Sequence, residues 1–256
     1  MTAYDIVLRN CTTLEEFDLC VALQKEVWGF SDAELVPLRI FSLAPKIGGQ
    51  VVGAWDGETF VGYAMAIPGN RYGHPYLHSH MVAVKDGYRN IGLGRKLKLF
   101  QRDDAVARGY ELMEWTFDPL EIKNSYFNLE RLGAVARRYN VNQYGITNSP
   151  LQGALPTDRL VAEWWMTSRR VTTVLSAGRP TVLVEERIDV PGEIYAWKAD
   201  PPSRAKAEEV QARNREAMQS AFARGLSCLG YERDAEGNGR FLLGRWDENW
   251  SYAPNS

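Results

Sequence analysis

The 256-residue chain is poor in histidine and in cysteine, with three of each. Cys11, Cys20 and Cys228 are far apart and odd in number, so they fit no zinc ligand set and no disulfide framework. A reducing interior is expected. No third ligand stands at a useful spacing from the histidines, so no metal is expected. No apolar run approaches the ~20 residues of a membrane span. The opening MTAYDIVLRN has no charged-then-apolar leader. Together these predict a soluble cytoplasmic protein without a membrane partner. The formal net charge is only -2, so no global field draws the chain to nucleic acid, and any basic patch must be local. Aromatic–basic interleaving, which would suit RNA or DNA, is missing too.

What is present is core-forming material: 45% of residues are hydrophobic. YDIVLRN alternates like a short strand. In TTLEEFDLCVALQKEVWG, Thr13 and Glu16 suit a capping box, and Leu14, Phe17, Val21 and Trp28 share a helical face. LVPLRIFSLAPKIGG reads as a second helix, and QVVGAWDGETFVGYAMAIPG as a hairpin turning near Asp56-Gly57. LHSHMVAV reads as a buried strand, GLGRKLKLFQRDDAVARG as a helix and YELMEWTFD as a strand, giving a βαβ crossover over residues 77 to 117. IKNSYFNLERLG predicts a helix stopped at Gly133, AVARRYNVNQYG a strand, ITNSPLQGALPTD a loop and RLVAEWWMT a strand. After about residue 170 the texture changes. PTVLVEERIDVP predicts a strand, PSRAKAEEVQARNREAMQSAFARG a long polar-faced helix, and LSCLGYE with GRFLLGRW a hairpin.

The chemistry concentrates in residues 78 to 98, HSHMVAVKDGYRNIGLGRKLK. A strand runs into Arg89-Asn90-Ile91-Gly92-Leu93-Gly94-Arg95 and then into a basic helix. Glycines at a helix start expose backbone N–H groups where the helix dipole is positive, which suits phosphate. Lys85, Arg89, Arg95, Lys96, Lys98 and Arg102 add charge. The alternative is that Gly92 and Gly94 only make a tight turn. A Walker loop is absent, and Leu97 occupies the third glycine position of a dinucleotide fingerprint.

Val84-x-x-x-Tyr88-Arg89-x-x-Gly92-x-Gly94 resembles the Arg/Gln-x-x-Gly-x-Gly/Ala signature of the GNAT acyltransferases. The order of elements over residues 4 to 168 is similar to that family's order, and KNSYFNLERLGA sits where the family has an Asn-containing helix. The resemblance implies an α+β fold, a GNAT-type twisted mixed β-sheet flanked by helices. Residues 1–170 would form the acyl-CoA-binding domain and residues 171–256 a smaller α/β C-terminal extension. It also implies acetyl-CoA or another acyl-CoA as co-substrate. The turn from Arg89 to Arg95 would hold the pyrophosphate, and the strand at Val82, Ala83 and Val84 would hold the pantetheine arm and polarise the thioester carbonyl. Asn124 would meet the pantetheine amides, or simply cap a helix.

His78 and His80 are two apart, so an unbroken strand would align them with Val82 and Val84 on one face. The spacing His78-x-His80-x-x-x-Val84 is similar to that of the arylalkylamine acetyltransferases, in which two histidines support amine deprotonation. Either histidine could equally be a hydrogen-bonded core residue. Glu114, inside an apolar strand, could act as a base, since burial raises a carboxylate's pKa, or could pair with a cation. The family's tyrosine proton donor falls at Leu129. Tyr126, one turn earlier, is the substitute candidate, with Tyr139 and Tyr144 as rivals. Glu26, Glu34, Trp28, Phe30 and Phe41 border the acceptor region that the resemblance implies.

The expected activity is direct acyl transfer, acetyl first, from acyl-CoA to the primary amine of a small molecule. The alternative is an acyl-CoA sensor or partner module without turnover. A nicotinamide-dependent oxidoreductase is the weakest reading. A homodimer is left open.

Overall fold

The computed structural model describes residues 5–146 and 152–252, so Tyr4 of the first expected strand and residues 147–151 of the expected loop lie outside the described residues. The chain divides into two compact units, Met1–Met113 with Tyr252–Ser256, and Glu114–Ser251. The boundary expected near residue 170 falls inside the second unit, within the helix Arg169–Leu175.

The first unit runs β1 (Ile6–Asn10), α1 (Leu14–Trp28), α2 (Leu38–Leu43), β2 (Gln50–Asp56), β3 (Thr59–Arg71), β4 (His74–Val84) and α3 (Leu93–Ala107). The strands pair as consecutive antiparallel neighbours. Helix α1 starts in the expected capping box: Thr13 Oγ1 accepts from the Glu16 amide while the Glu16 carboxylate accepts from the Thr13 amide. Helix α2 is shorter than expected. It has six residues and passes into a 3-10 turn at Ala44–Ile47, because Pro45 supplies no N–H for the α-helical ladder.

Strand alternation then builds two core layers. On one face, Phe17, Cys20 and Leu23 of α1 and Phe41 of α2 pack on Val51, Trp55, Tyr63, Met65, Met81 and Ala83. On the other, Leu93 and Leu97 of α3 pack on Val52, Ala54, Val61 and Ala64. Truncating a side chain such as Phe41 or Leu97 to alanine costs about 2–5 kcal/mol at sites this closed. Anchoring Leu93 and Leu97 is what fixes the start of α3, and with it the turn before.

The second unit contains most of β5 (Leu112–Phe117), then α4 (Ile122–Tyr126), β6 (Val135–Asn140), β7 (Arg159–Trp165), α5 (Arg169–Leu175), β8 (Glu186–Val190), α6 (Ile194–Ala199), α7 (Arg204–Ala223), β9 (Ser227–Arg233) and β10 (Gly239–Gly244). Its strands lie in the order β5-β7-β6-β9-β10-β8. The expected long helix is α7, and the expected hairpin is β9–β10. Helix α5 escapes the sequence reading because RRVTTVL is rich in β-branched residues, which favour strands when read locally. The strand expected over PTVLVEERIDVP shrinks to Glu186–Val190, the segment that finds a ladder on β10. The helix expected over residues 122–132 is split, with α4 giving way to a π-helical turn at Phe127–Arg131 before Gly133 closes it at φ 78°.

Candidate functional site

Strand β4 ends at Val84, and a 3-10 turn, Asp86–Tyr88, turns the chain outward. Arg89 then acts as a strut. Its Nε donates to the Val84 carbonyl at 3.2 Å, and Nη1 pairs with Asp86 at 2.5 Å. Asn90 and Gly92 both adopt left-handed backbone, at φ 63° and 84°, which bends the chain into the start of α3. Gly92 is the N-cap, and no side chain caps the helix. The first amides of a helix have no intrahelical acceptor. Here they are presented at an uncapped end whose dipole favours an anion.

Gly94 sharpens the point. It sits in the first turn of α3, and a Cβ built on it meets nothing within 4 Å. The fold therefore does not require glycine there, although glycine in a helix costs about 1 kcal/mol relative to alanine. The space beside Gly94 leaves the backbone open to an anion.

One member of the expected basic ring is not on it. Lys98 is buried at 3% exposure, with Nζ 3.8 Å from Met113 Sδ, and burial holds its pKa well below the ordinary lysine value. The helical period turns it inward with Gln101 and Ala105. Between its folded pKa and ~10.4 the unfolded chain holds the extra proton, so stability rises with pH across that window. Lys98→Met is expected to raise the melting temperature at pH 7 and to flatten its rise toward pH 10. Melting curves across that range check this, and an unaltered slope would contradict it. Lys85 is also engaged, 3.7 Å from Glu26.

The histidines stand on β4, but not as an unbroken strand would place them. Met65 pairs with Met81 and Ala66 with Ser79, so the register skips His80. A bulge of one residue reverses the alternation. His78 lies opposite Ile67, on the α1–α2 face, whereas Val82 lies opposite Ala64, on the α3 face. The expected alignment of His78, His80, Val82 and Val84 on one face is thus corrected. Nor is β4 buried throughout: Leu77, Ser79, Met81 and Ala83 are buried, while His80 is exposed. The two imidazoles nevertheless approach, with ring centroids 6.0 Å apart. His80 keeps solvent-accessible area, yet surrounding protein displaces enough hydration to lower its pKa. An accessible edge does not rehydrate the whole ring. The atoms packed around the ring govern the direction of the shift. A lowered pKa keeps His80 neutral at neutral pH, as a proton acceptor requires.

The remaining candidates belong to the second unit. Glu114 is 2% exposed, and its Oε1 pairs with Arg138. Arg138 also meets Glu163 Oε1 at 3.2 Å, and Glu163 pairs with Arg137 and accepts from Trp165 Nε1 at 3.2 Å. Of the two readings of Glu114, the ion pair is the one realised. A carboxylate gripped by a guanidinium is an anchor, not an open base. Glu114→Gln is expected to cost about 1–3 kcal/mol, softened because Arg138 keeps Glu163 and solvent. Thermal melting reads that loss, and kcat at low temperature should stay within about threefold because no transition-state contact is removed.

Asn124 is exposed within α4 and accepts from Asn128 Nδ2 at 3.5 Å; the N-cap of α4 is Glu121, so the capping alternative fails. Tyr126 is half-buried, with the Arg233 guanidinium 4.1 Å from its ring centroid. Leu129 is fully buried. Tyr139 donates to Asp158 Oδ2 at 2.8 Å, and burial beside that carboxylate pushes its pKa up, which disqualifies it as a ready proton donor. Tyr144 Oη lies 3.1 Å from Thr116 Oγ1.

In the first unit, Phe41 is core, edge-on to Tyr63, whereas Trp28 and Phe30 are half-buried and stacked at 5.4 Å. Glu34 accepts from the Ser31 amide and hydroxyl, which closes the turn after α1. All three cysteines are buried and free. Among the described residues, no group of three or more His, Cys, Asp or Glu could hold a metal ion, and no helix is long and apolar enough to cross a membrane.

Residues 17–127 match the model of the acetyltransferase (GNAT) family. Among solved structures, the fold is similar to NAA60 of Arabidopsis thaliana in complex with acetyl-CoA, with a TM-score of 0.51 at 9% identity over 63% of this chain and 99% of that one. It is also similar to yncA of Salmonella typhimurium with its cofactor acetyl-CoA, with a TM-score of 0.51 at 15% identity over 64% and 96%. The ribosomal-protein-S18-alanine N-acetyltransferase of Escherichia coli gives 0.50 at 14% identity over 64% and 97%. No curated protein matches the sequence. The expected GNAT fold, with strands flanked by helices, is the fold observed. Over residues 17–127 the chain is thus similar to the acetyltransferase (GNAT) family, and the fold of the solved neighbours agrees with that likeness.

Proposed function

We propose that the chain is an N-acyltransferase that moves an acyl group, acetyl first, from acyl-CoA directly to the primary amine of a small molecule. The observation that carries this reading is the uncapped start of α3, with Gly94 open to a ligand. The amides from Ile91 to Arg95 would hold the diphosphate, and the Arg89 strut would keep the turn in shape. The end of β4, from Val82 to Val84, would carry the pantetheine arm. When bound, the carrier supplies an activated thioester. Backbone N–H groups near Val82 to Val84 would favour charge developing on its carbonyl oxygen.

The amine arrives protonated and must shed that proton before it attacks. We assign this to His80, directly or through water, with His78 as its neighbour. The nitrogen then forms a C–N bond and the C–S bond breaks. The departing sulfur needs a proton in return. We retain Tyr126 for that step and Asn124 for the carrier's amides, both on α4 and neither closed off in the core. Glu114 drops out of the catalytic set. Free, buried cysteines support a reducing compartment.

The test is a titration of the protein with acetyl-CoA and succinyl-CoA, followed by a panel of small primary amines. Saturable binding with release of free thiol and one acylated amine per thiol supports the reading. Binding without turnover on a broad panel moves the function to a sensor. No binding of either carrier removes both.

A further inference from the structure

The second unit contains a cavity that the proposed reaction does not use. It has a volume of about 400 Å³ and lies between α5, the segment 179–183 and the chain after β10. Four arginines line it, Arg169, Arg170, Arg179 and Arg245, against two carboxylates, Asp247 and Glu248.

Those carboxylates are already committed. Asp247 pairs with Arg169, and the Glu248 oxygens accept from the amides of Arg169 and Arg170 at 2.8 and 2.9 Å. Glu248 is thus turned to backbone amides, and neither carboxylate holds Arg179 or Arg245. Arg170 is 6% exposed and locked in place, with Nε donating to the Gly133 carbonyl at 3.1 Å and Nη2 to the Leu129 carbonyl at 3.0 Å. Its Nη1 takes no partner among the described residues. Burial lowers its pKa to about 10, despite Glu130 and Glu248 nearby. Arg179 is exposed and has no hydrogen bond or ion pair among the described residues. Arg245 is held only by two long contacts, Nε to Glu185 and Nη1 to the Arg224 carbonyl, both at 3.4 Å. Beside these charges the lining is apolar: Val182, Leu229 and Leu183, the last 82% exposed.

We propose that this cavity binds a small organic anion, a carboxylate or phosphate on an apolar body, gripped by Arg170, Arg179 and Arg245. The immobilised Arg170 offers its remaining Nη1 hydrogens without further ordering, and the exposed guanidinium forks of Arg179 and Arg245 match planar oxyanions. An apolar body would cover Leu183, which water now touches. Nothing in this proposal depends on acyl transfer.

Calorimetric titration of the full chain with benzoate, phenyl phosphate, inorganic phosphate and benzylamine tests it. Benzoate or phenyl phosphate should bind, more tightly than inorganic phosphate, and benzylamine should not. Arg179→Glu and Arg245→Glu, both at exposed positions, should each weaken that binding at least tenfold. Arg95→Glu, in the first turn of α3, should leave it unchanged. The proposal is overturned if neither aromatic anion binds. It is equally overturned if binding survives both cavity variants, or if Arg95→Glu abolishes it, which would place the anion at the turn.

Discussion

Gly94→Asp is expected to weaken acyl-CoA binding by about a hundredfold or more while leaving the fold intact. The new carboxylate would stand in the space where a Cβ meets nothing within 4 Å, over the uncapped helix end. A lost charge-assisted hydrogen bond is worth roughly 1.5–3 kcal/mol, and like-charge repulsion adds to it, so two decades is a conservative figure. The fold should tolerate the change because an acidic residue in a first helical turn suits the dipole. Gly94→Ala gives the more discriminating result. It should raise stability by up to about 1 kcal/mol, or about 2–4 °C for a chain of this size. Meanwhile it should weaken the carrier, because the methyl group intrudes on the backbone. Binding calorimetry and melting curves on the same preparations read both effects. If Gly94→Asp binds acyl-CoA as the parent does, the turn is not the phosphate site.

The second large effect concerns protons. His78→Ala/His80→Ala is expected to lower kcat at neutral pH by about a hundredfold, within the usual range for a positioned general base, with little change in carrier affinity. The parent enzyme should lose activity on the acid side below the ordinary imidazole value of ~6.5, because protonated His80 cannot accept the amine's proton and its pKa is lowered. In the double variant that acid limb should vanish. His80→Gln alone should remove most of it if His80 is the acceptor, and His78→Gln should leave it in place. A pH–rate profile unchanged in the double variant would reject the role.

The sequence made the turn legible because its chemistry is local: glycines, bases and the strand before them are contiguous. Helix α1 was legible for the same reason, since Thr13 and Glu16 cap within one turn. What stayed hidden depends on partners far away. The irregularity at His80 exists only relative to β3, and a run such as HSHMVAV carries no mark of where the ladder skips. That one residue put His78 on the opposite face from Val82. Lys98 looked like part of a solvated basic stripe, and its burial is decided by the packing of α3 as a whole. Glu114 finds Arg138 from a strand more than twenty residues away, and no spacing rule announces that pair. The arginine-lined cavity likewise gathers residues from 169 to 248.

The account turns on where the diphosphate of the carrier sits, and a crystal structure of the protein grown with acetyl-CoA measures that directly. The prediction is diphosphate oxygens about 2.9 Å from main-chain nitrogens between Ile91 and Arg95. Electron density showing the carrier bound at any other part of the chain, with the start of α3 still open to solvent, would contradict it.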